Sequence, residues 1–386
     1  MTLPPPAAAI VAMPRSGIRA IMELAAARPG TLGLGFGEPD FDTPAHIVEA
    51  AARAARDGHT RYTASRGIPA FREAAAIRLH ERNGLDVDAD QIIVTVGGVQ
   101  AVYSTLAALA NPGDAVLVPD PCWPNYIGHC LQLGLHAVRY PLDPVLDFEP
   151  DLDRLEAIAA QAGAKVLITN SPGNPTGAVW SREAIEATVA LAQRHGMYLL
   201  ADEVYDEMAF DGEHVASAPL DDSGCVISVY SLSKTYAMTG WRVGYLAAPA
   251  ALVPTIAKIP ETLVSCPTAP AQWAGVAALT GPQDCVAAMR NAYRERRDLA
   301  VRALRDGGLF VAEPRGAFYA FADISAATLD TDAFARRLVS DYGVACAPGD
   351  TFGPGGAGLL RLSLAAAPAT IEEGIARIGR AVAEWS

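Results

Sequence analysis

Short apolar runs alternate with segments of helical periodicity along much of the chain. The apolar runs lie at residues 92–95, 115–118, 165–169, 197–201, 226–229 and 243–246. Helical patterns lie between several of them, for example at about 100–110 and at 182–195. Apolar strands separated by helices are typical of a mostly parallel sheet that is covered on both faces. Ligands of such a sheet bind at the carboxyl ends of its strands.

The pattern changes after residue 254. A helix-rich stretch carries a cluster of arginines interspersed with acidic residues, which predicts a solvated helix face. These arginines are Arg290, Arg294, Arg296, Arg297, Arg302 and Arg305. Two strand-like segments follow at 317–321 and 359–363, and they predict a second, smaller unit.

Composition and charge exclude several classes of protein. Hydrophobic residues make up 51% of the 386 residues, which excludes a disordered or fibrous chain. The net charge of −13 opposes binding to nucleic acid. The six cysteines lack both C-x-x-C and zinc spacing, so we expect reduced thiols and no metal site. We also expect a cytoplasmic protein without a membrane partner, because no apolar run approaches a bilayer span and the apolar N-terminus lacks a preceding positive charge.

One segment between two predicted strands carries the strongest chemical signal. Lys234 follows Ser231 and Ser233, and Arg242 lies further along the same segment. A partly desolvated lysine has a lowered pKa, and its neutral amine forms a Schiff base with an aldehyde cofactor. Hydroxyls and a guanidinium are suitable donors to a phosphate beside it. An exposed loop lysine is the alternative, but it does not account for the serines and the Gly-Trp-Arg motif in register.

This segment resembles the pyridoxal phosphate (PLP) attachment signature of class I/II aminotransferases, which belong to fold type I and the aspartate aminotransferase superfamily. The resemblance extends from about Ser16 to the C-terminus. It implies an α/β fold with a large domain, in which a mostly parallel seven-stranded sheet lies between helices. A smaller α+β domain is formed by the N- and C-terminal segments. The expected boundaries are 1–45 for the N-terminal segment, 46–280 for the PLP-binding domain and 281–386 for the C-terminal small domain.

The resemblance also implies three catalytic residues. Lys234 holds PLP as an internal aldimine and moves the proton. Asp202 protonates the pyridine nitrogen, so that the ring accepts electrons from the substrate α-carbon. Tyr205 donates to the phenolic O3′ of the cofactor. From the residues alone, a helix N-cap remains an alternative for Asp202.

Further residues are assigned to the cofactor by the same resemblance. The backbone amides of Gly98 and Val99 cradle the phosphate at a helix N-terminus. Val99 stands where the family often has a polar residue, so its contact is through the backbone only. Trp123 stacks on the ring, and Asn174 bonds both O3′ and the substrate carboxylate. The remaining cofactor-binding residues are Ser231, Ser233, Arg242 and Tyr62, of which Tyr62 reaches the phosphate of the neighbouring subunit.

The substrate contacts implied by the resemblance are Gly37, Trp123, Asn174 and Arg361. Arg361 clamps the α-carboxylate, for which a planar bidentate donor is well suited. The Asn174–Pro175 peptide bond is expected to be cis. Taken singly, these residues also fit a simple turn, a packing aromatic and a strand-edge arginine.

The side-chain specificity follows from the distribution of cations. Residues 91–138 contain no Lys or Arg, and the cations near the site loops are Arg15, Arg19 and Arg66. A buried carboxylate without a partner is costly. We therefore slightly favour a neutral or aromatic amino donor over aspartate, with glutamate and 2-oxoglutarate retained as a second pair. The apolar and aromatic candidates are Phe36, Trp123, Tyr126 and Phe352.

The implied function is a cytoplasmic, PLP-dependent aminotransferase that uses a ping-pong mechanism with an L-amino acid and a 2-oxo acid. A homodimer with shared active sites is expected. The alternative is a lyase or decarboxylase of the same fold, for example a C–S β-lyase, because PLP labilises several bonds at the α-carbon. A PLP-sensing regulator would need a DNA-binding domain, and the roughly thirty residues before the Gly35 loop are too few for one.

Overall fold

The computed structural model describes residues 3–13 and 15–385. Within them the chain forms two β-sheets surrounded by helices, none of which is long and apolar enough to cross a membrane. The α-helices are α1 (Ala8–Val11), α2 (Gly17–Ala26), α3 (Ala45–Arg56), α4 (Pro69–Asn83), α5 (Gly97–Leu109), α6 (Asn125–Leu133), α7 (Leu152–Ala162), α8 (Arg182–Arg194), α9 (Leu232–Thr235), α10 (Val253–Ile256), α11 (Lys258–Val264), α12 (Ala269–Thr280), α13 (Asp284–Asp306), α14 (Thr331–Arg337) and α15 (Pro368–Ala383).

The strands of both sheets are short. They are β1 (Leu32–Leu34), β2 (Ile92–Thr95), β3 (Ala115–Asp120), β4 (His136–Pro141), β5 (Val166–Asn170), β6 (Tyr198–Asp202), β7 (Val226–Ser231), β8 (Gly244–Ala247), β9 (Tyr319–Asp323), β10 (Val344–Pro348) and β11 (Leu359–Ser363). Single turns of 3₁₀-helix occur at Ala89–Gln91, Pro144–Leu146, Ala218–Leu220, Thr239–Trp241, Gly349–Phe352 and Pro354–Gly356, and a π-helical turn at Leu338–Tyr342.

The large sheet has seven strands in the order β2-β8-β7-β6-β5-β3-β4. The five strands from β7 to β4 are parallel, and β8 is antiparallel to both of its neighbours. The predicted mostly parallel seven-stranded sheet is therefore confirmed. Strands β2, β5 and β7 are buried along their whole length, which explains their continuous apolar sequences. Edge strand β4 is only half-buried and has a mixed sequence, so the apolar pattern did not predict it.

The parallel arrangement brings polar strand ends together. Asn170 ends β5 and pairs in register with Asp202, which ends β6. The next strand, β7, ends at Ser231 and continues directly into α9, which carries Lys234. At the same edge, α5 begins at Gly97, just after β2. Four chemically distinct segments thus converge at one edge of the sheet, as the strand-end rule predicts.

The smaller sheet has four strands in the order β1-β10-β11-β9. Strand β1 pairs in parallel with β10, and the other pairings are antiparallel. Its first strand comes from the N-terminal part of the chain, and the other three follow residue 318. The second unit expected from the sequence is therefore present, and segments from both ends of the chain share its sheet.

The predicted solvated face of the arginine cluster is wrong for Arg297. This residue is only 3% exposed on α13 and pairs with Asp211 at 2.7 Å and Asp298 at 2.6 Å. Two turns earlier on the same face, Arg290 lies 3.6 Å from Glu207. The inner face of α13 packs against the segment that follows β6. The arginines on that face therefore form ion pairs with acidic residues of this segment.

A buried ion-pair network anchors the segment that follows Asp202. Glu207 accepts two bonds from Arg82, at 3.0 and 2.9 Å, and also pairs with the buried Arg78 on α4. Burial opposes ionisation of Glu207, but the bonds from Arg82 and the charge of Arg78 outweigh it and lower its pKa to about 2. These ion pairs therefore hold the segment that follows β6 against α4, and the carboxylate at their centre is buried.

We predict that Glu207→Gln lowers the free energy of unfolding by about 3 kcal/mol, because the change leaves the buried Arg78 without its ion-pair partner. Equilibrium urea unfolding at pH 7 measures this loss. The folded-state pKa of Glu207 lies below the unfolded value of about 4.3. Its contribution is therefore complete above about pH 5 and declines as the pH falls toward about 2. The difference between wild type and variant should narrow over that range.

Glu186→Gln is the matched control. Glu186 is 51% exposed on the protein surface and lies 3.6 Å from Arg182. Exposed pairs of this kind contribute about 0.5 kcal/mol or less. Equal losses of stability in the two variants would show that the Glu207 network does not anchor the segment.

Candidate active site

A cavity of about 910 Å³ opens at the carboxyl ends of the large sheet and extends to the small sheet. Twelve of the thirteen site residues predicted from the sequence line it. They are Gly37, Gly98, Val99, Trp123, Asn174, Asp202, Tyr205, Ser231, Ser233, Lys234, Arg242 and Arg361. The thirteenth, Tyr62, is 87% exposed and lies outside the cavity wall.

One end of the cavity is suited to an oxyanion. The N-terminus of α5, with the first-turn residues Gly98 and Val99, faces Ser231 and Arg242 there. At Gly97, where φ is +76°, a Cβ would be strained and would lie 2.7 Å from Arg242 Nη2, so a larger residue would displace the guanidinium. Helix N-terminal amides, hydroxyls and a guanidinium together favour a phosphate group.

Lys234 lies in α9, with its amine inside the cavity. Its Nζ donates to the backbone oxygen of Gly37 at 2.5 Å. Burial, helped by the positive charge of Arg361 and opposed by Glu38, lowers the pKa of Lys234 to about 8. A lysine with this pKa supplies a neutral amine near neutral pH, as covalent attachment to an aldehyde requires.

Asp202 has one satisfied and one unsatisfied oxygen. The carboxylate is 3% exposed, and its Oδ2 accepts a hydrogen bond from Tyr126 at 2.5 Å. Its Oδ1 is buried and finds no partner in the described part of the chain. Burial raises the pKa of Asp202 to about 6, although the bond from Tyr126 acts against the rise. Because such an oxygen is costly to leave unpaired, the cavity fits a ligand that presents a donor here, as a protonated pyridine nitrogen does.

Arg361 reaches the cavity from β11 of the small sheet. It is 2% exposed, and it donates to Asn174 Oδ1 at 3.0 Å and to the Gly35 oxygen at 2.6 Å. The rings of Tyr319 and Phe352 lie 4.4 and 4.8 Å from its Cζ. These contacts fix the guanidinium plane, which is the geometry that carboxylate recognition needs.

The other predicted residues take positions around this centre. The hydroxyls of Tyr205 and Tyr319 lie 2.9 Å apart. Trp123 packs edge-on against Tyr126, with ring centroids 5.4 Å apart, while also lining the cavity. The Asn174–Pro175 peptide bond is cis, which confirms that prediction.

Sequence reasoning missed the hydroxyl that supports Asp202. Tyr126 was predicted only as an apolar candidate for the substrate pocket, but it does not line the cavity and instead bonds Asp202. The available signal was its position one helical turn after Trp123 in a segment that follows a strand. The other three aromatic candidates, Phe36, Trp123 and Phe352, do line the cavity.

The set of cations proposed from the sequence needs a correction. Arg15 and Arg19 line the cavity, but Arg66 does not; it bonds the side chain and backbone oxygen of Asp90. Arg139 was missed, because the cation-free stretch ends at residue 138. It lies on β4 and lines the cavity, where the pairing of β4 with β3 places it.

The chain is similar to known proteins over most of its length. The sequence model described as "Aminotransferase class I and II" matches residues 29–378. The chain is 38% identical over 352 residues to the aspartate/prephenate aminotransferase of Thermus thermophilus, covering 90% of each. It is 37% identical over 353 residues to the arginine–pyruvate transaminase of Pseudomonas aeruginosa, covering 91% of this chain and 90% of the relative. The solved aspartate aminotransferase of Thermus thermophilus with maleate is 37% identical, with a TM-score of 0.92 over 98% of this chain and 100% of that one.

The pKa of Lys234 leads to a direct test. In protein freed of any cofactor, trace acylation of the Lys234 amine should increase with pH around a midpoint near 8. The chain has only two other lysines, Lys165 and Lys258, whose peptides serve as internal references for the reagent. Peptide mass spectrometry gives the rate at each site. A Lys234 midpoint near the ordinary value of about 10.4 would show that the cavity does not desolvate the amine.

Proposed function

Because the chain belongs to the aminotransferase class I and II family, we propose that its cavity holds PLP on Lys234 and there transfers an amino group between an L-amino acid and a 2-oxo acid. The chain is an aminotransferase, and its family depends on PLP. The names of its relatives do not favour the lyase alternative. The observation that carries the proposal is the unpaired buried Asp202 Oδ1 in the same cavity as the low-pKa amine of Lys234.

Different residues of the cavity would bind different parts of the cofactor. When bound, PLP supplies a pyridinium ring that takes up the electron pair released at the substrate α-carbon. Asp202 Oδ1 would accept the hydrogen bond of the ring nitrogen, and its negative charge would keep that nitrogen protonated. Asn174 and Tyr205 would bond O3′, and Trp123 would cover the ring. The phosphate would be held by Gly98, Val99, Ser231, Ser233 and Arg242.

Arg361 and Lys234 act on the substrate. The Arg361 guanidinium would bind the α-carboxylate and so fix the direction of the α-hydrogen, with Gly37 as the nearby backbone contact. The neutral Lys234 Nζ would then accept the proton from the α-carbon. The charge of Arg361 helps to keep the Lys234 pKa low, so the same residue that orients the substrate also favours the basic form of the amine.

The amino donor remains a separate proposal. The names of the two relatives specify different substrates, aspartate and prephenate in one case and arginine and pyruvate in the other. We propose a slight preference for neutral or aromatic donors, which Phe36, Trp123 and Phe352 in the cavity wall support. Glutamate and 2-oxoglutarate form the proposed second pair.

We also propose a homodimer in which Tyr62 contacts the phosphate of the neighbouring site. The 87% exposure of this aromatic side chain supports the assignment, since a tyrosine that acts across a boundary must project from its own chain. The proposed compartment is the cytoplasm, and the free state of all six cysteines is consistent with it. The domain boundaries proposed above, 1–45, 46–280 and 281–386, assign β1 and β9–β11 to the smaller unit.

Asp202→Asn tests the proposed function. The amide keeps the size of the side chain but cannot stabilise a protonated ring nitrogen, so we predict that PLP still binds while kcat falls by about 100- to 1,000-fold. Absorbance of the bound cofactor and steady-state rates give the two quantities. Asp206→Asn is the control, because Asp206 lies on the same segment outside the cavity wall. Turnover of Asp202→Asn within twofold of wild type would rule out the role of Asp202.

The shared site is tested with hybrid dimers of Tyr62→Phe and Lys234→Ala chains, purified with two different tags. If Tyr62 acts across the interface, one site of the hybrid carries both changes and the other carries neither. We predict about half the activity of the wild-type dimer, well above that of either parent variant. Activity equal to half that of Tyr62→Phe would place Tyr62 in its own chain's site instead.

A further inference from the structure

Among the described residues, six cationic side chains line the cavity, and the proposed function uses only half of them. Lys234, Arg242 and Arg361 bind the cofactor or the α-carboxylate, which leaves three without a role. These are Arg15, Arg19 and Arg139. Arg15 and Arg19 are exposed on the N-terminal segment, whereas the side chain of Arg139 is 31% exposed.

Arg139 is held in place by a buried carboxylate. Its Nη1 lies 3.4 Å from Oδ1 of Asp120, the last residue of β3. The same oxygen accepts the backbone N–H of Gly355 at 3.1 Å. Burial raises the pKa of Asp120, and the Gly355 bond and the charge of Arg139 act against the rise. The carboxylate is thus the fixed element that positions the arginine.

The loop over this pair leaves no spare volume. At Gly353, where φ is +120°, a Cβ would lie 2.3 Å from Asp120 Oδ1 and 2.4 Å from Arg139 Nη1. A larger residue there would displace the pair. Arg139 is therefore enclosed on one side by Asp120 and by the Gly353–Gly355 loop, and its remaining side is part of the cavity wall.

Two nitrogens of the guanidinium remain available. All side-chain hydrogen bonds of Arg139 within the described residues use Nη1, which also lies 4.0 Å from Cys122 Sγ. Nε and Nη2 make no hydrogen bond to the described residues, and neither is a buried atom without a partner. An arginine with one nitrogen anchored and two adjacent nitrogens accessible matches the two oxygens of a carboxylate.

Arg139 and Arg361 contact the same short segment of chain. The ring of Phe352 lies 4.8 Å from Arg361 Cζ, and the next residue, Gly353, packs against Arg139. Phe352 also accepts the backbone N–H of Cys122 at 2.9 Å, which joins this segment to the end of β3. A substrate bound by its α-carboxylate to Arg361 thus shares one cavity wall with a second, unassigned guanidinium.

We propose that Arg139 binds the distal carboxylate of a dicarboxylic 2-oxo acid or amino acid, the class that includes 2-oxoglutarate and glutamate. This inference rests on the proposed function and specifies its second substrate pair. In a ping-pong reaction both substrates enter the same cavity, and a carboxylate there needs a cation because an unpaired one is costly. When a neutral or aromatic substrate is bound, Asp120 remains the partner of Arg139, so no charge is left alone.

Arg139 is better suited to this task than the other two cations. Fixing a mobile arginine on binding costs side-chain entropy, and the ion pair with Asp120 has already restricted Arg139. Arg15 and Arg19 are exposed, so binding a substrate would have to restrict their side chains first. They are the competing candidates, and the experiment must separate them from Arg139.

The test compares the holoenzyme with Arg139→Met, Arg15→Met and Arg19→Met. For each, kcat/KM is measured with 2-oxoglutarate and with pyruvate, using one fixed amino donor. We expect the ratio of the two values to fall by about 10- to 100-fold in Arg139→Met, mainly through the KM for 2-oxoglutarate. Arg139→Lys should recover part of the ratio. Arg66→Met is the matched control, because Arg66 pairs with Asp90 outside the cavity, and it should leave the ratio unchanged.

A binding measurement keeps the proposal testable without turnover. Calorimetry should show that succinate binds wild-type holoenzyme more tightly than butyrate does, and that Arg139→Met removes most of this difference. The proposal would be overturned if Arg139→Met lowered kcat/KM equally for both 2-oxo acids or did not lower it at all. It would also be overturned if only Arg15→Met or Arg19→Met lowered kcat/KM selectively for 2-oxoglutarate. If the wild type turned over pyruvate but not 2-oxoglutarate, Arg139 would lose its role while the proposed function would stand. Failure with every 2-oxo acid would count against the proposed function itself.

Discussion

The candidate site depends on a carboxylate that is buried and only half satisfied. Asp202 ends β6, where its Oδ2 is bonded by Tyr126 and its Oδ1 has no partner among the described residues. A buried charge of this kind persists only if its surroundings hold it rigidly. Asn170 Nδ2 bonds the backbone oxygen of Asp202 at 2.9 Å, and the Glu207 network fixes the segment that follows. The rigid frame therefore keeps one acceptor pointing into the cavity for a ligand to complete.

The second constraint is that the cavity is built from both sheets. Arg361 belongs to β11 of the small sheet, yet it bonds Asn174 of the large one and lowers the pKa of Lys234 through its charge. Recognition of the α-carboxylate and the reactivity of the amine are therefore coupled by a single side chain. Any displacement of one sheet relative to the other would change both. The rings of Tyr319 and Phe352 pack against the guanidinium and restrict its movement.

Much of the site could be predicted from the sequence because its residues lie at strand ends within recognisable motifs. Asn174, Asp202 and Lys234 each lie at or shortly after the end of a buried apolar strand, so parallel pairing alone brings them together. Arg139 could not be found in this way, since it lies on a half-buried edge strand whose sequence has no clear period. The burial of Arg297 depends on which face of α13 packs inward. Likewise, the bond from Tyr126 to Asp202 joins residues far apart in sequence, which no local pattern encodes.

Transfer of an amino group is tested most directly by a single half-reaction. Purified holoenzyme is mixed with one L-amino acid in the absence of any 2-oxo acid, and the products and the cofactor absorbance are followed together. The geometry at Asp202, Lys234 and Arg361 predicts one equivalent of 2-oxo acid per bound cofactor and conversion of the cofactor to its amine form, which added 2-oxo acid then reverses. Continuous release of ammonia or carbon dioxide beyond one equivalent, with the cofactor remaining in its aldehyde form, would contradict transamination.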